Sequence, residues 1–284
     1  MLSGYRARKL KSYFMTSLMA LTSLLGVLPL FSVFYTALLE GGKTLVEAGL
    51  NFFTDLPPTP LSTKLGGIVP ALVGSVVSSS FAVVVAGPIA FFIAFLVTEF
   101  PNSLLSKVSE VLVRSFSGIP SIIISMFVYS VVVMSMGTQS LLAGSLSLSI
   151  VALPYAYVYF ASALRSVPES LREAALSLGM SKFRVLRHVY MGVSRRYLVT
   201  GVLMSYIRVF GDTAPLLFTM GFLMNSVFAG ILRPSNALPL LIFVYALSPY
   251  EVFHRVAWGA VLVLIIFYLI LFTLARGLLR GVRL

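Results

Sequence analysis

Long apolar runs alternate along this chain with short basic segments. Six of the runs reach the length of about 20 residues that a membrane-crossing helix needs. They are Phe14–Leu39, Ile68–Val97, Ile119–Gly137, Leu141–Leu164, Leu198–Met224 and Val256–Ala275. Pro88, Pro154 and Pro215 fall inside three of them, which is tolerated where neighbouring helices satisfy the freed carbonyls. Gly74 with Ser78, and Ser145 with Ser149, have the four-residue spacing of small residues that lets helices approach closely. They read as packing positions rather than as a substrate path. The pattern predicts an all-α integral membrane protein with six transmembrane helices. Residues 1–65 hold an N-terminal tail, the first span and an outer loop, and residues 66–284 hold a core of five spans.

Composition supports a lipid-facing surface. The 284 residues are 58% hydrophobic and only 11% charged, whereas a soluble domain is about a quarter charged. The formal charge of +12 would otherwise suggest nucleic acid, but the basic residues sit between the apolar runs, as they do when they set membrane orientation. Arg6, Arg8, Lys9, Lys11, Lys107, Arg114, Arg165, Arg172, Lys182, Arg184, Arg187, Arg195, Arg196, Arg276, Arg280 and Arg283 fall on the side of the termini. Lys43, Lys64, Arg233 and Arg255 fall on the other. This asymmetry predicts that both termini are cytoplasmic. The basic N-terminus followed by an apolar run imitates a signal peptide, yet the run is too long and lacks an A-x-A site, so it reads as a retained span. The chain has no cysteine, which excludes disulfides and thiolate chemistry. His188 and His254 are far apart and read as surface or interface residues. No metal or cofactor is expected.

Two regions outside the spans stand out. One is a cytoplasmic loop, Arg165–Tyr197. The other is an outer stretch, Asn225–Arg255, whose apolar run Ala237–Leu247 is too short to cross and is expected to lie in the interface or dip back into the protein. Gly42-Lys-Thr44 imitates the end of a phosphate-binding loop. The glycine that such a loop needs five positions before its second one is replaced by Ala37, and the stretch follows an apolar helix rather than a strand. The chain is therefore not expected to hydrolyse ATP, and it shows neither HExxH nor G-x-S-x-G. An enzyme is not indicated.

The cytoplasmic loop is ordered in its pattern. Val167 to Gly179 reads as a short helix with Pro168 at its first turn and Gly179 at its end. Leu171, Ala175 and Leu178 share one face, and Glu169, Arg172 and Glu173 another. Ser181 can cap a second helix, with Phe183, Leu186 and Tyr190 in an apolar stripe. A solvated loop needs no such order; a docking element does. Glu173-Ala-Ala175, followed by Gly179, resembles the EAA motif of type I ABC importer permeases. In that family I-x-L-P follows nine residues later; here the register holds Val189, Tyr190, Met191 and Gly192, without the proline. The resemblance implies a MetI-like fold whose coupling helices seat in an ATPase subunit. Glu169, Arg172, Glu173, Ala174, Ala175, Gly179 and Phe183 would then be the coupling residues.

A second match covers Arg208-Val-Phe-Gly-Asp-Thr-Ala-Pro-Leu-Leu-Phe-Thr219. It is similar to the R-x-x-G-E-T-A-P-L-L-F-T signature of PstA-type phosphate permeases, with Asp212 in place of glutamate. Asp55-Leu-Pro-Pro58, Gly118-Ile-Pro-Ser121, Phe127-Val-Tyr129 and Phe253–Trp258 extend the likeness from about residue 50 to the end. The resemblance implies an ATP-driven phosphate importer. Its other parts would be a second homologous permease, two ATP-binding subunits and an extracytoplasmic phosphate-binding protein.

Physical chemistry points to the same segment. Arg208 and Asp212 are the only charges deep inside an expected span, and each costs about 2.5–3.5 kcal/mol at a helix centre. At i and i+4 they can pair. Two readings stand: a self-neutralising structural pair, or an arginine that lowers the barrier for phosphate while Asp212 holds it. In the second reading Thr213 and Thr219 would add hydroxyl donors and Pro215 a hinge. A permease for molybdate, sulfate or phosphonate is the alternative in the same class, and a non-transport membrane scaffold or enzyme the alternative outside it.

Overall fold

The computed structural model describes residues 2–279, with side chains for 8–278. Arg280 and Arg283, counted above toward orientation, lie outside the described residues, as does the side chain of Arg6. The described chain is helical: α1 (Leu2–Thr36), α2 (Gly42–Ala48), α3 (Asn51–Thr54), α4 (Val69–Glu99), α5 (Leu104–Phe116), α6 (Ser121–Val128), α7 (Met134–Met136), α8 (Leu141–Arg165), α9 (Glu169–Ser177), α10 (Lys182–Val185), α11 (Met191–Phe210), α12 (Leu238–Ala246) and α13 (Glu251–Leu279). Wider π turns at Ala37–Gly41, Tyr129–Val133 and Leu186–Tyr190 splice α1 to α2, α6 to α7 and α10 to α11 without a break.

Among the described residues, four helices are long and apolar enough to cross a bilayer: Arg8–Ala48, Val69–Glu99, Leu141–Arg165 and Glu251–Leu278. A fifth is added if α5 and the α6–α7 rod, which meet at a 102° bend, form one broken span. The expected span Leu198–Met224 is not among them: the helix that ends there, Lys182–Phe210, is long but carries Arg195, Arg196 and Arg208, and the apolar run continues beyond it without helix. The run is helical only to Phe210; Gly211, Asp212 and Thr213 precede Pro215, which disfavours helix before it and has no N–H to continue the ladder. Pro215 therefore lies beyond the helix end and is not the hinge expected of it. Pro88 and Pro154, by contrast, do lie inside α4 and α8.

The centre of the bundle is the α4–α8 pair. Gly74, Ser78, Ala82, Ala86, Ala90 and Ala94 recur every four residues along α4, and all are buried. From Ala82 to Ala94 this narrow face admits α8 closely, whereas Gly74 lies against Ser235 and Asn236. Ala82 and Ala86 pack with Leu148 and Ala152, and Ala90 and Ala94 with Ala156, Phe160 and Leu164. Ser145 and Ser149 donate to carbonyls one turn back in α8, at 2.7 Å each, so both act in packing, as expected. On the other side α12 and α13 enclose Phe52, Phe210, Leu241, Tyr245 and Phe253, with Tyr245 and Phe253 stacked at 4.2 Å. The short apolar run Ala237–Leu247 is thus buried along one side, through Ala237–Leu241 and Tyr245, while Phe243, Val244 and Leu247 are exposed. Most side chains of α1 from Leu10 to Tyr35 are exposed.

Gly211–Ala237 is irregular backbone inside an apolar protein, where unpaired polar groups are costly. Several of its groups are matched internally. Thr219, Arg233 and Ile231 offer their carbonyls to the N–H groups of Ser140, Leu141 and Leu142 at the start of α8, at 2.9–3.0 Å. Asn236 donates to the Leu223 carbonyl at 3.2 Å, and Ser75 accepts from the Leu238 N–H at 2.8 Å. The Gly42-Lys-Thr44 stretch is helical, and Thr44 donates to the Arg255 carbonyl at 3.0 Å, so it serves helix contact.

Candidate functional site

Arg208 lies in the last turn of α11, and Asp212 lies two residues past the helix. Nη1 of Arg208 donates to Oδ2 of Asp212 at 2.9 Å. The carboxylate side chain is 10% exposed and the guanidinium side chain 39%. The guanidinium also lies over the Tyr155 ring, its Cζ 4.8 Å from the centroid. Such a contact contributes about 0.5–2 kcal/mol. Next to it is a cavity of about 270 Å³ lined by Phe116–Ser121, Ile124, Val151, Pro154, Tyr155 and Arg208. Its wall is mostly polar and includes Ser117 and Ser121, the Ser117 hydroxyl donating to the Arg114 carbonyl at 2.6 Å. The Gly118–Ser121 stretch singled out in the sequence therefore meets Arg208 at one cavity. Sequence reasoning missed Tyr155 as the stacking partner; an aromatic beside Pro154 in a long apolar run carries no signal of its own.

The other residues of the signature sit behind this wall. Pro215 is buried, and its carbonyl accepts from Ser125 at 2.9 Å and Thr219 at 2.7 Å. Thr219 is fully buried with its hydroxyl directed to that carbonyl. Thr213 is half-buried, and its carbonyl accepts from the Leu216 N–H at 3.0 Å.

The cytoplasmic-loop residues fall into an outward and an inward set. Helix α9 starts after Pro168 and stops before Gly179, whose φ of +79° is the left-handed region open to glycine. Ser181 caps α10, accepting from the Arg184 N–H at 3.4 Å. Glu169, Glu173, Ala174, Gly179 and Phe183 are exposed, and so are Leu171 and Leu178. Ala175 is buried against the α4–α8 core. Arg172 turns inward, its Nε 3.1 Å from Oε2 of Glu99, whose side chain is 1% exposed. It also faces Glu169 at 3.6 Å. The bond to Glu99 raises the Arg172 pKa further above its ordinary value. Tyr190 donates to the same Oε2 at 3.1 Å, and burial followed by the Glu99 charge pushes its hydroxyl up to about 12. Glu99 lies two residues beyond the expected end of its span, so the sequence reading passed over it.

The family model described as "Binding-protein-dependent transport system inner membrane component" matches residues 86–283, which include α9, Arg208 and the whole cavity wall. The chain belongs to this family. Its curated relatives are named as phosphate transport system permeases. One from Methanocaldococcus jannaschii, named "Probable phosphate transport system permease protein PstA", is 34% identical over 96% of this chain and 95% of that protein. The PstA protein of Xylella fastidiosa strain 9a5c is 36% identical over 84% and 82%. That of Yersinia pestis is 32% identical over 90% and 85%. Among solved structures, a MetNI methionine ABC transporter in an inward-facing conformation matches with a TM-score of 0.60 at 19% identity, over 77% of this chain and 95% of that one. An amino acid ABC transporter gives 0.58 at 16%, over 76% and 94%. The MetI-like permease fold is thereby established, and this family member is a multi-pass membrane protein.

Proposed function

We propose that this chain is the permease subunit of an ATP-driven phosphate importer. It would make no bond to its substrate; ATP hydrolysis belongs to separate subunits that dock on α9. The observation that carries this reading is the Arg208 guanidinium, held by Asp212 and Tyr155 at the edge of a polar cavity between α5–α6, α8 and α11. A fixed cation beside hydroxyl groups lowers the barrier for a multivalent oxyanion. Its pairing with Asp212 keeps the site near neutral when empty. The relatives named as phosphate permeases support the same substrate.

In this reading a second, homologous permease completes the path, one of two ATP-binding subunits seats on the exposed Leu171, Glu173, Ala174, Leu178 and Phe183 while the other seats on the second permease, and an extracytoplasmic phosphate-binding protein delivers substrate at the opposite face. Both termini lie in the cytoplasm. The test is uptake of labelled phosphate by the complete complex in vesicles, with molybdate, sulfate and phosphonate as competitors. ATP-dependent phosphate uptake resisting the other oxyanions supports the reading. Uptake of another oxyanion in preference to phosphate would replace the substrate, and no uptake of any would sink the transport role.

A further inference from the structure

Helix α9 is a weak structural element by itself. It has nine residues, fewer than a helix needs to persist alone in water. Ala175 is buried and Leu176 is half-buried against the same core, while Leu171 and Leu178 are exposed. Packing alone therefore holds it loosely. Its firm attachment is Arg172, which reaches out of the helix to the enclosed carboxylate of Glu99 through Nε at 3.1 Å and Nη2 at 3.3 Å.

Glu99 is the last residue of α4, the helix that runs through the centre of the bundle. The same carboxylate accepts from Tyr190, in the π turn that leads into α11. The next residue, Phe100, has Lys182 Nζ 4.1 Å from its ring centroid, at the first residue of α10. The end of α4 thus grips both sides of the α9–α10 corner. A buried charge stripped of one partner is strongly disfavoured, so Arg172 and Glu99 stay together when α9 is displaced, and α4 must follow.

We infer that Glu99 is a positioning residue for energy coupling: the Glu99–Arg172–Tyr190 cluster fastens the docking helix to α4 and α11 so that its movement is delivered to the bundle. This rests on the importer reading above. It assigns Glu99 no contact with substrate or with the ATP-binding subunits, and it separates two tasks of the loop: Leu178 and Phe183 dock, whereas Arg172 transmits.

The experiment measures phosphate uptake and ATP hydrolysis together on the reconstituted complex, for wild type and for Glu99→Gln. The glutamine keeps the size of the side chain and its bond to Tyr190 while losing the charge that holds Arg172. Expected are normal co-purification of the ATP-binding subunits, hydrolysis within about twofold of wild type, and phosphate moved per ATP lowered about tenfold or more. Arg172→Gln should give the same loss, and the double variant no more than either alone, because both act on one link. If Glu99→Gln fails to accumulate in the membrane, Arg172→Gln decides by the same ratio. An unchanged ratio, or uptake and hydrolysis falling in proportion, overturns the inference. A wild-type complex that hydrolyses ATP without moving phosphate overturns the importer reading and removes the premise, an outcome distinct from a wild type that couples and a variant that also couples.

Discussion

Arg208 engages two partners at once: the guanidinium rests over Tyr155 with 4.8 Å between Cζ and the ring centroid, while Nη1 donates to Asp212 Oδ2 at 2.9 Å. Lysine has the charge but neither the plane nor the fork. Arg208→Lys should therefore lower phosphate uptake about tenfold to a hundredfold, and Arg208→Ala by more, with the complex still assembled. Tyr155→Phe keeps the ring and should stay within about threefold of wild type. Labelled phosphate uptake at matched protein levels is the measurement. Normal uptake by Arg208→Ala would mean that the pair is structural only.

The exposed apolar residues of the α9–α10 corner give a docking test. Leu178 is 84% exposed and Phe183 69%. Leu178→Glu, Phe183→Ala and Glu173→Lys should each weaken co-purification of the ATP-binding subunits, by about 1–2 kcal/mol or roughly a tenfold loss of affinity. Thermal stability of the permease should be unchanged. Retention of those subunits by all three variants would show that docking occurs elsewhere.

Gly74 faces the chain beyond α11 at very close range. A β-carbon there would stand 1.8 Å from the Asn236 carbonyl oxygen, a backbone atom held in place by the bonds that Asn236 and Leu238 make. Gly74→Ala should destabilise the detergent-solubilised protein by about 1–3 kcal/mol or more, read as a lowered midpoint of thermal aggregation. Gly26→Ala, with open space around it, should leave the midpoint unchanged.

The Pro215 carbonyl has two hydroxyl donors, Ser125 and Thr219. Removing one leaves the acceptor satisfied; removing both leaves it buried and unpaired. Ser125→Ala and Thr219→Val should cost about 0.5 kcal/mol or less each, and the double variant about 2–3 kcal/mol, more than the sum of the two. Additive losses would argue that each hydroxyl acts independently.

Legibility from sequence followed the strength of the periodic signal. The apolar runs that became α4, α8 and α13 were visible because each is long and uninterrupted by charge. The ends of α9 were visible because Pro168 and Gly179 have conformational preferences that act locally. The Leu198–Met224 run misled because apolarity reports burial, not helicity, and Leu216, Leu217, Met220 and Phe222 are buried or half-buried in turns. The Arg208–Asp212 pair was legible as i and i+4 spacing, although a helix end rather than a helix interior brings the two together. Glu99 was hidden by its position at the end of a run, where an acid ordinarily reaches water. Only the fold reveals that Arg172 and Tyr190, 73 and 91 residues later, close over it.

One consequence concerns the unbroken rod from Lys182 through the π turn to Phe210. At 1.5 Å per residue it spans about 39 Å between Lys182 and Arg208. A helix with no break in the chain of turns carries a push at one tip as a slide or a twist at the other, and Arg208 sits about 100° of helical turn from each adjacent residue. A modest twist would swing the guanidinium away from Tyr155 and out of the cavity wall. The docking corner and the Arg208 guanidinium would then be two ends of one shaft, with torque as the quantity passed between them.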